Sequence, residues 1–200
     1  MTAATPVVTS IRKAGRNRVA VELDGAPWRV LPAEPVVAAG VHTGVALDRE
    51  RARRLRAELR RVEARNAALS ALSRADHTTA TLRAMLAAKG IAPAAREATL
   101  ETVERAGIVD DARFAGARAS LLAERGAGDA MIRNDLERRG VADELIVHAI
   151  ATLEPEAARA ARILAAHGNT PRTLRRLAAK GFGEDALEAL VADRPGTELG

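Results

Sequence analysis

The hydrophobic pattern of the chain changes once, near residue 48, from alternation to helical spacing. Before that point, residues 19–23 place apolar side chains at every second position, which is typical of a strand with one buried face. Asp24-Gly25 follows as a favoured two-residue hairpin turn, and residues 28–31 return to an apolar run. Residues 1–47 are therefore predicted to form a small N-terminal β-hairpin element.

Residues 48–75 are predicted to form one long basic helix, with Asp48 as its N-cap. Its apolar residues share one face: Ala52, Leu55, Leu59 and Val62. Four arginines share another face and lie within roughly 60° of each other, since a helix turns about 100° per residue. We call these the arginine stripe: Arg49, Arg53, Arg56 and Arg60. Two interpretations stay open, a solvated helix with incidental Arg–Glu pairs and a surface for a polyanion.

The rest of the chain repeats one pattern three times, over residues 68–107, 108–154 and 155–192, before a tail at 193–200 that is expected to be flexible. Each repeat has a helical stretch, a break, a second helix that ends in a basic residue and glycine, and a third helix. The shared turns are Lys89-Gly90-Ile91, Arg139-Gly140-Val141 and Lys180-Gly181-Phe182. The predicted fold is mainly α: an elongated array of three tandem three-helix repeats. Such an array favours a binding protein, because it presents a long surface.

Capping accounts for several conspicuous polar residues. Thr78 and Thr170 stand where the second helices of the first and third repeats begin, and we predict both as N-caps. Asp110-Asp111 is the only adjacent pair of aspartates. Two carboxylates can hold a cation, but their position directly before a predicted helix favours capping and interaction with the helix dipole.

Composition excludes several functional classes. The 200 residues contain no cysteine, so disulfides, thiolate metal sites and cysteine nucleophiles are absent. The four histidines lack metal-binding spacing, and neither a nucleophile elbow nor a glycine-rich phosphate loop occurs. No apolar run reaches the roughly 18 to 20 residues of a membrane span, and the first residues do not resemble a signal peptide. We expect a soluble cytoplasmic protein that is not an enzyme and needs no cofactor or metal.

The distribution of charge indicates a binding surface. The net charge is +5, and residues 49–65 account for all of it with eight arginines and three glutamates. A GC-rich genome would explain the general excess of arginine over lysine, but not this concentration. Each second helix of a repeat is also basic. The predicted binding surface consists of Arg53, Arg56, Arg60, Arg83, Lys89, Arg133, Arg138, Arg139, Arg175, Arg176 and Lys180.

Three of these residues have an alternative role. Lys89, Arg139 and Lys180 each directly precede the glycine that ends a helix, where a cation stabilises the helix dipole without any ligand. Capping and binding therefore stay open for these three. Aromatic residues make up only 2% of the chain, so there is little to stack on bases. Any contact with nucleic acid is expected to be to phosphates and to be largely independent of sequence.

The repeat motifs resemble those of the RecX family, the bacterial regulators of the RecA recombinase. The resemblance is carried by residues 107–115, which include Asp-Asp-Ala-Arg-Phe-Ala, and by residues 125–128 and 132–141. Residues 71–74 and 82–91 are similar to the first repeat of the family. The resemblance spans roughly residues 66–192. Val109 and Arg118 depart from it, standing where the family usually has larger apolar or aromatic residues.

The resemblance implies a crescent of helical repeats that binds in the groove of the RecA filament on single-stranded DNA. There it would repress strand exchange, ATP hydrolysis and coprotease activity, as part of the regulation of DNA repair and the SOS response. The expected partners are the RecA filament and the phosphate backbone of single-stranded DNA, with no membrane, and we expect a monomer. Two alternatives are a general DNA- or RNA-binding helical protein without a RecA partner and a purely structural scaffold.

Overall fold

The computed structural model describes the backbone of residues 5–192 and the side chains of residues 5–188. Within this range the chain forms three strands followed by ten helices. The strands and first helices are β1 (Val8–Lys13), β2 (Arg18–Leu23), β3 (Ala26–Pro32), α1 (Ala33–Ala38), α2 (Arg49–Leu72), α3 (Thr79–Ala88) and α4 (Pro93–Arg105). The remaining helices are α5 (Asp111–Glu124), α6 (Asp129–Arg138), α7 (Asp143–Ala151), α8 (Glu156–His167), α9 (Pro171–Ala179) and α10 (Glu184–Ala192).

The chain divides into two compact units. The first contains the residues up to 75 together with 83–103, and the second contains 76–82 together with the residues from 104 onward. The boundary passes through α3, so this helix begins in one unit and ends in the other.

The first unit is built on a three-stranded antiparallel sheet in the order β1-β2-β3. Asp24 and Gly25 both have positive φ angles, which is the conformation that a two-residue hairpin with the twist of a sheet requires. The predicted β element is thus a three-stranded meander of two successive hairpins. Its apolar face packs against α1 and the first turns of α2 in one core: Val8, Val21, Leu31, Val36, Ala39, Val41, Leu47 and Leu55.

The long helix α2 begins after Asp48, whose carboxylate accepts a hydrogen bond from the Arg51 amide at 2.7 Å and so confirms the predicted N-cap. Leu55 is buried, and Ala52 and Leu59 pack beside it, so the predicted apolar face is the packed one. A second contact between α1 and α2 is the ion pair of Glu34 with Arg65, whose guanidinium lowers the pKa of the Glu34 carboxyl.

The second unit contains two three-helix cores. Helices α5, α6 and α7 surround Ala115, Ala119, Ala127, Ile132, Leu136, Val141, Ile146 and Ala149. Helices α8, α9 and α10 surround Ala160, Leu164, Leu177 and Phe182. In each core the apolar residue that follows the basic residue and glycine is buried, namely Val141 in one and Phe182 in the other. This burial explains why the turn motif ends in an apolar residue.

The prediction of a mainly helical fold with a small N-terminal β element is confirmed. The division into repeats at 68–107, 108–154 and 155–192 stays a prediction, and residues 193–200 lie outside the described range. None of the helices in the described range is long and apolar enough to cross a membrane.

Candidate functional site

The arginines of α2 fall into two groups. Four of them make ion pairs: Arg51 with Asp48, Arg54 with Glu50, Arg61 with Glu58 and Arg65 with Glu34. The other four are the arginine stripe, and each of these is exposed and has no carboxylate partner among residues 5–188. A helix whose arginines served only solubility would have no reason to concentrate its uncompensated charge on one side. The stripe is therefore a candidate site for an anionic partner.

One end of the stripe lies beside the first basic-glycine turn. Arg60 and Glu63 line a shallow cavity of about 250 Å³ together with Gly90, Ile91 and Ala92, all within the first unit. Lys89 is exposed and has no ion-pair partner in the described part of the chain. The cationic surface of α2 thus lies close to the turn that follows α3.

Three residues of the predicted binding surface are already engaged in ion pairs. Arg83 makes a pair with Glu97 at 3.1 Å, Arg133 with Asp143 at 2.7 Å and Arg139 with Asp135 at 2.9 Å. Arg139 also lies over the Phe114 ring, with the guanidinium carbon 5.9 Å from the ring centroid. These three cations are partly neutralised, so they offer less to a partner than the unpaired ones.

Three further arginines of the predicted surface are exposed and lack an ion pair within residues 5–188: Arg138, Arg175 and Arg176. The Nζ atom of Lys180 instead donates to the Arg125 carbonyl oxygen at 3.0 Å. Lys180 and Arg176 are brought together in one pocket with Arg172, which the predicted surface did not include, and Arg125. The sequence could not place Arg125 in this pocket, because Arg125 follows α5 and is far from α9 along the chain. Only the tertiary packing brings them together.

The basic-glycine turns of the second and third repeats have a structural role that the sequence did not show. The Thr78 hydroxyl accepts from the Thr81 amide at 3.1 Å, which confirms Thr78 as an N-cap, and also donates to the Arg139 carbonyl oxygen at 2.6 Å. A Cβ atom on Gly140 would lie 2.4 Å from the Ala80 Cβ atom. The start of one second helix therefore packs on the end of the next.

The same contact recurs one repeat later. The Gly128 amide donates to the Lys180 carbonyl at 2.9 Å, and the Ala130 amide donates to the Gly181 carbonyl at 3.1 Å. A Cβ atom on Gly181 would lie 2.5 Å from the Met131 amide nitrogen. By contrast, a Cβ atom on Gly90 would meet nothing within 4 Å. The glycine thus ends a helix in all three turns, and in the last two it also permits a close approach of backbones.

Arg159 is the only charged side chain that is buried among the described residues, and the sequence predicted no role for it. Only 4% of its side chain is exposed. It donates to the carbonyl oxygens of Glu154 at 2.9 Å and Ala127 at 2.8 Å, and it pairs with the Asp129 carboxylate. Burial, with Glu156 nearby, nevertheless raises the pKa of Asp129. These bonds connect α8 to the turn before α6, and no local pattern in the sequence points to them.

Arg118, which departs from the family pattern, is accommodated by Asp135. Its Nε and Nη2 atoms donate to the two carboxylate oxygens at 2.9 and 3.0 Å, and Arg139 donates to the same carboxylate. The hydrogen bonds from Arg118 and then Arg139 lower the pKa of Asp135 to about 2. A polar cluster of Arg118, Asp135 and Arg139 thus occupies the position where the family usually has an apolar or aromatic residue.

Replacing Asp135 with asparagine is expected to lower the free energy of unfolding by about 1–3 kcal/mol at neutral pH. The folded pKa of about 2 lies below the unfolded value, so the carboxylate stabilises the fold above about pH 4 and this effect is lost as the pH falls toward 2. Urea denaturation at pH 7 and pH 3 should show the difference between the two proteins narrowing at the lower pH.

Asp143→Asn is the matched control, because Asp143 is 75% exposed and pairs with only one arginine. We expect no measurable change in stability for this variant at either pH. A pH-independent loss of stability in Asp135→Asn would contradict the assigned role of the charged carboxylate.

The carboxylates at 110 and 111 act as caps. Asp110 accepts from the Arg113 amide at 2.9 Å, and Asp111 accepts from the Thr79 amide at 2.8 Å. Asp111 therefore contacts the start of α3 rather than that of its own helix. Within the described residues no three His, Asp or Glu side chains are grouped so as to hold a metal ion.

Comparison with known proteins relates this fold to one family. Family models of the first and second three-helix domains of RecX match residues 64–102 and 110–150. The Regulatory protein RecX of Halorhodospira halophila is 33% identical over 138 residues, which span 64% of this chain and 86% of that protein. That of Chromohalobacter salexigens is 33% identical over 137 residues, which span 64% of this chain and 90% of that protein.

Solved structures have the same fold. A crystal structure of regulatory protein RecX superimposes with a TM-score of 0.76 at 19% identity, covering 94% of this chain and all of the other. RecX from Lactobacillus salivarius gives a TM-score of 0.58 at 16% identity, covering 67% of this chain and 96% of the other. With two matched three-helix domains and relatives aligned over most of their length, this chain belongs to the RecX family of regulatory proteins.

Proposed function

We propose that this protein is a negative modulator of the RecA recombinase. It binds the RecA filament on single-stranded DNA and inhibits the ATPase, strand-exchange and coprotease activities of that filament. Family membership is what supports RecA as the partner. In this proposal the protein acts in the cytoplasm as a monomer and catalyses no reaction itself.

The arginine stripe is the observation that carries this proposal. Its guanidinium groups are unpaired while the other four arginines of the same helix are paired, so the stripe keeps its charge for a partner. Phosphates of the single strand and acidic side chains of RecA can both accept hydrogen bonds from, and form ion pairs with, these guanidinium groups. Arg138, Arg175 and Arg176 add unpaired cations at other helices, and Lys89 adds one in the turn after α3. Contacts of this kind weaken steeply as the salt concentration rises.

The proposal is tested by the rate of ATP hydrolysis of RecA from the same organism on single-stranded DNA. The DNA is held in excess while this protein is titrated in. Inhibition at well below one molecule per RecA would support a regulator of the filament. Inhibition only once the protein coats the DNA would instead favour a general nucleic-acid-binding protein, which the unpaired cations alone are sufficient to support.

Replacing two arginines of the stripe, in the double variant Arg53→Gln/Arg56→Gln, is expected to raise the concentration needed for half-inhibition by roughly three- to tenfold. The reason is that two uncompensated cations are lost from the surface that meets the filament. The measurement is the same ATPase titration at two salt concentrations, and the variant should also show a weaker dependence on salt.

Arg54→Gln/Arg61→Gln is the control on the same helix. It changes the net charge equally but removes arginines that already have glutamate partners. We expect at most a twofold change in half-inhibition. Equal effects of the two double variants would show that only total charge matters, and would remove the stripe from the proposed surface.

A further inference from the structure

A pocket with a strong excess of positive charge lies in the second unit, between the end of α5 and helices α8 and α9. Its volume is about 410 Å³. Arg125, Arg172, Arg176 and Lys180 contribute four cations to its lining, and Glu124 contributes the single carboxylate. That leaves an excess of three positive charges in a concave site, where the low dielectric of the walls strengthens attraction for an anion.

The cations of this pocket are available to a ligand. Arg125, Arg172 and Arg176 have no carboxylate partner among the described residues. Lys180 is held in place because its Nζ atom donates to the Arg125 carbonyl oxygen, and an ammonium group has two further hydrogens to donate. A fixed lysine beside three unpaired guanidinium groups is a suitable arrangement for several oxygens of one phosphate.

The first turn of α9 also faces this pocket. Thr170 caps the helix by accepting from the Thr173 amide at 3.2 Å, and the two hydroxyls hydrogen-bond to each other at 3.0 Å. Both threonines line the pocket. The positive end of the helix dipole therefore adds to the field of the side chains.

One wall of the pocket is apolar. Ile163 from α8 is partly exposed there, and Leu177, which belongs to the buried core, contributes little accessible surface. Gly126 leaves this wall open, because a Cβ atom on it would lie 3.7 Å from the Ile163 Cδ1 atom. An inorganic anion has no apolar surface that could pack against this wall. The volume lies in the usual range of small-molecule sites and exceeds what a phosphate alone occupies.

We infer that this pocket binds a nucleotide unit, with its phosphate among Arg172, Arg176 and Lys180 and its sugar and base against Ile163. The phosphate belongs either to a free nucleotide or to one residue of a DNA strand. In the second case the inference rests on the proposed function. Its test contains no RecA, so its failure is distinguishable from failure of the proposed regulation.

The test compares two exposed arginines of the second unit. Arg176 lines the pocket, whereas Arg162 on α8 does not and belongs to no proposed binding surface. The probe is a fluorescein-labelled oligothymidylate in an anisotropy titration, and dTMP, thymidine and inorganic phosphate are competitors. Arg176→Gln and Arg162→Gln change the net charge equally, and circular dichroism verifies that both variants fold. If Arg176→Gln does not fold, Arg172→Gln takes its place with the same expected result.

We expect Arg176→Gln to weaken binding by about tenfold or more and Arg162→Gln by about twofold or less. Competition by dTMP, but not by thymidine, would identify a site for free nucleotides. Binding of the oligonucleotide alone, with the same difference between the variants, would assign the phosphate to a DNA strand. Equal effects of the two substitutions, or no binding of any probe, would overturn the inference.

Discussion

Replacing Gly128 with alanine is expected to lower the free energy of unfolding of the second unit by at least about 3 kcal/mol. Gly128 precedes α6 with a φ angle of −82°, which alanine adopts without strain. The added Cβ atom, however, would lie 2.3 Å from the carbonyl carbon and oxygen of Gly181 and from the Phe182 amide nitrogen. Backbone atoms cannot move aside as a flexible side chain does.

Relief of that contact requires the turn after α9 to separate from the start of α6. The hydrogen bonds from the Gly128 amide to the Lys180 carbonyl and from the Ala130 amide to the Gly181 carbonyl would then lengthen or break. Their polar groups would have to find water in a packed contact. Urea denaturation followed by far-UV circular dichroism measures the loss.

Gly116→Ala is the matched control in the same unit. Gly116 lies within α5, and a Cβ atom there would meet nothing within 4 Å. The variant should gain about 0.5–1 kcal/mol, because alanine restricts the unfolded chain and favours a helix. The two substitutions are chemically identical, so their opposite signs would isolate the contact at Gly128. Equal stability of the two variants would contradict the packing described for the turns.

This contact shows what the sequence could and could not predict. Helices, their caps and the hairpin turn are local, and Asp48, Thr78 and Thr170 were predicted as N-caps from their positions alone. The role of Gly128 is not local. It depends on Gly181, which lies more than fifty residues away in the sequence. A repeat pattern predicts the helices of each repeat but not the contacts between neighbouring turns such as those at Gly128 and Gly181.

The predicted binding surface shows the same limit. Helical periodicity placed the arginine stripe on one face of α2, because only residue spacing is needed for that. It did not distinguish paired from unpaired arginines on the second helices. Arg83 and Arg133 pair with carboxylates of the next helix, which only the tertiary structure shows. Arg139 pairs with Asp135 one turn away, a spacing that the sequence itself contains.

Replacing Arg159 with methionine is expected to lower the free energy of unfolding by about 3–5 kcal/mol. Methionine fills much of the volume of the arginine side chain but donates no hydrogen bond. The carbonyl oxygens of Ala127 and Glu154 would lose their donors, and the Asp129 carboxylate would lose its only described ion-pair partner. The contact of the guanidinium with the Phe182 ring, at 5.8 Å, would also be lost.

Arg162→Met provides the control for this substitution, three residues further along α8. Its side chain is 69% exposed and pairs with Glu154 at 2.5 Å, so we expect a change within about 0.5 kcal/mol. The Asp129 carboxyl supplies a second readout. Because burial already raises its pKa and Arg159 opposes that rise, removal of the guanidinium should raise the pKa further.

Arg159→Met should therefore lose less stability, relative to the parent protein, as the pH falls and Asp129 becomes protonated. The sign follows because the variant has the higher folded pKa and gains stability from proton binding at a higher pH than the parent does. A loss of stability that is equal at pH 7 and pH 4 would assign the effect to packing on Phe182 and the two carbonyl groups rather than to the unpaired carboxylate. In either case, a large loss in Arg159→Met beside a negligible one in Arg162→Met would show that the buried contacts of Arg159 hold α8 to the turn before α6.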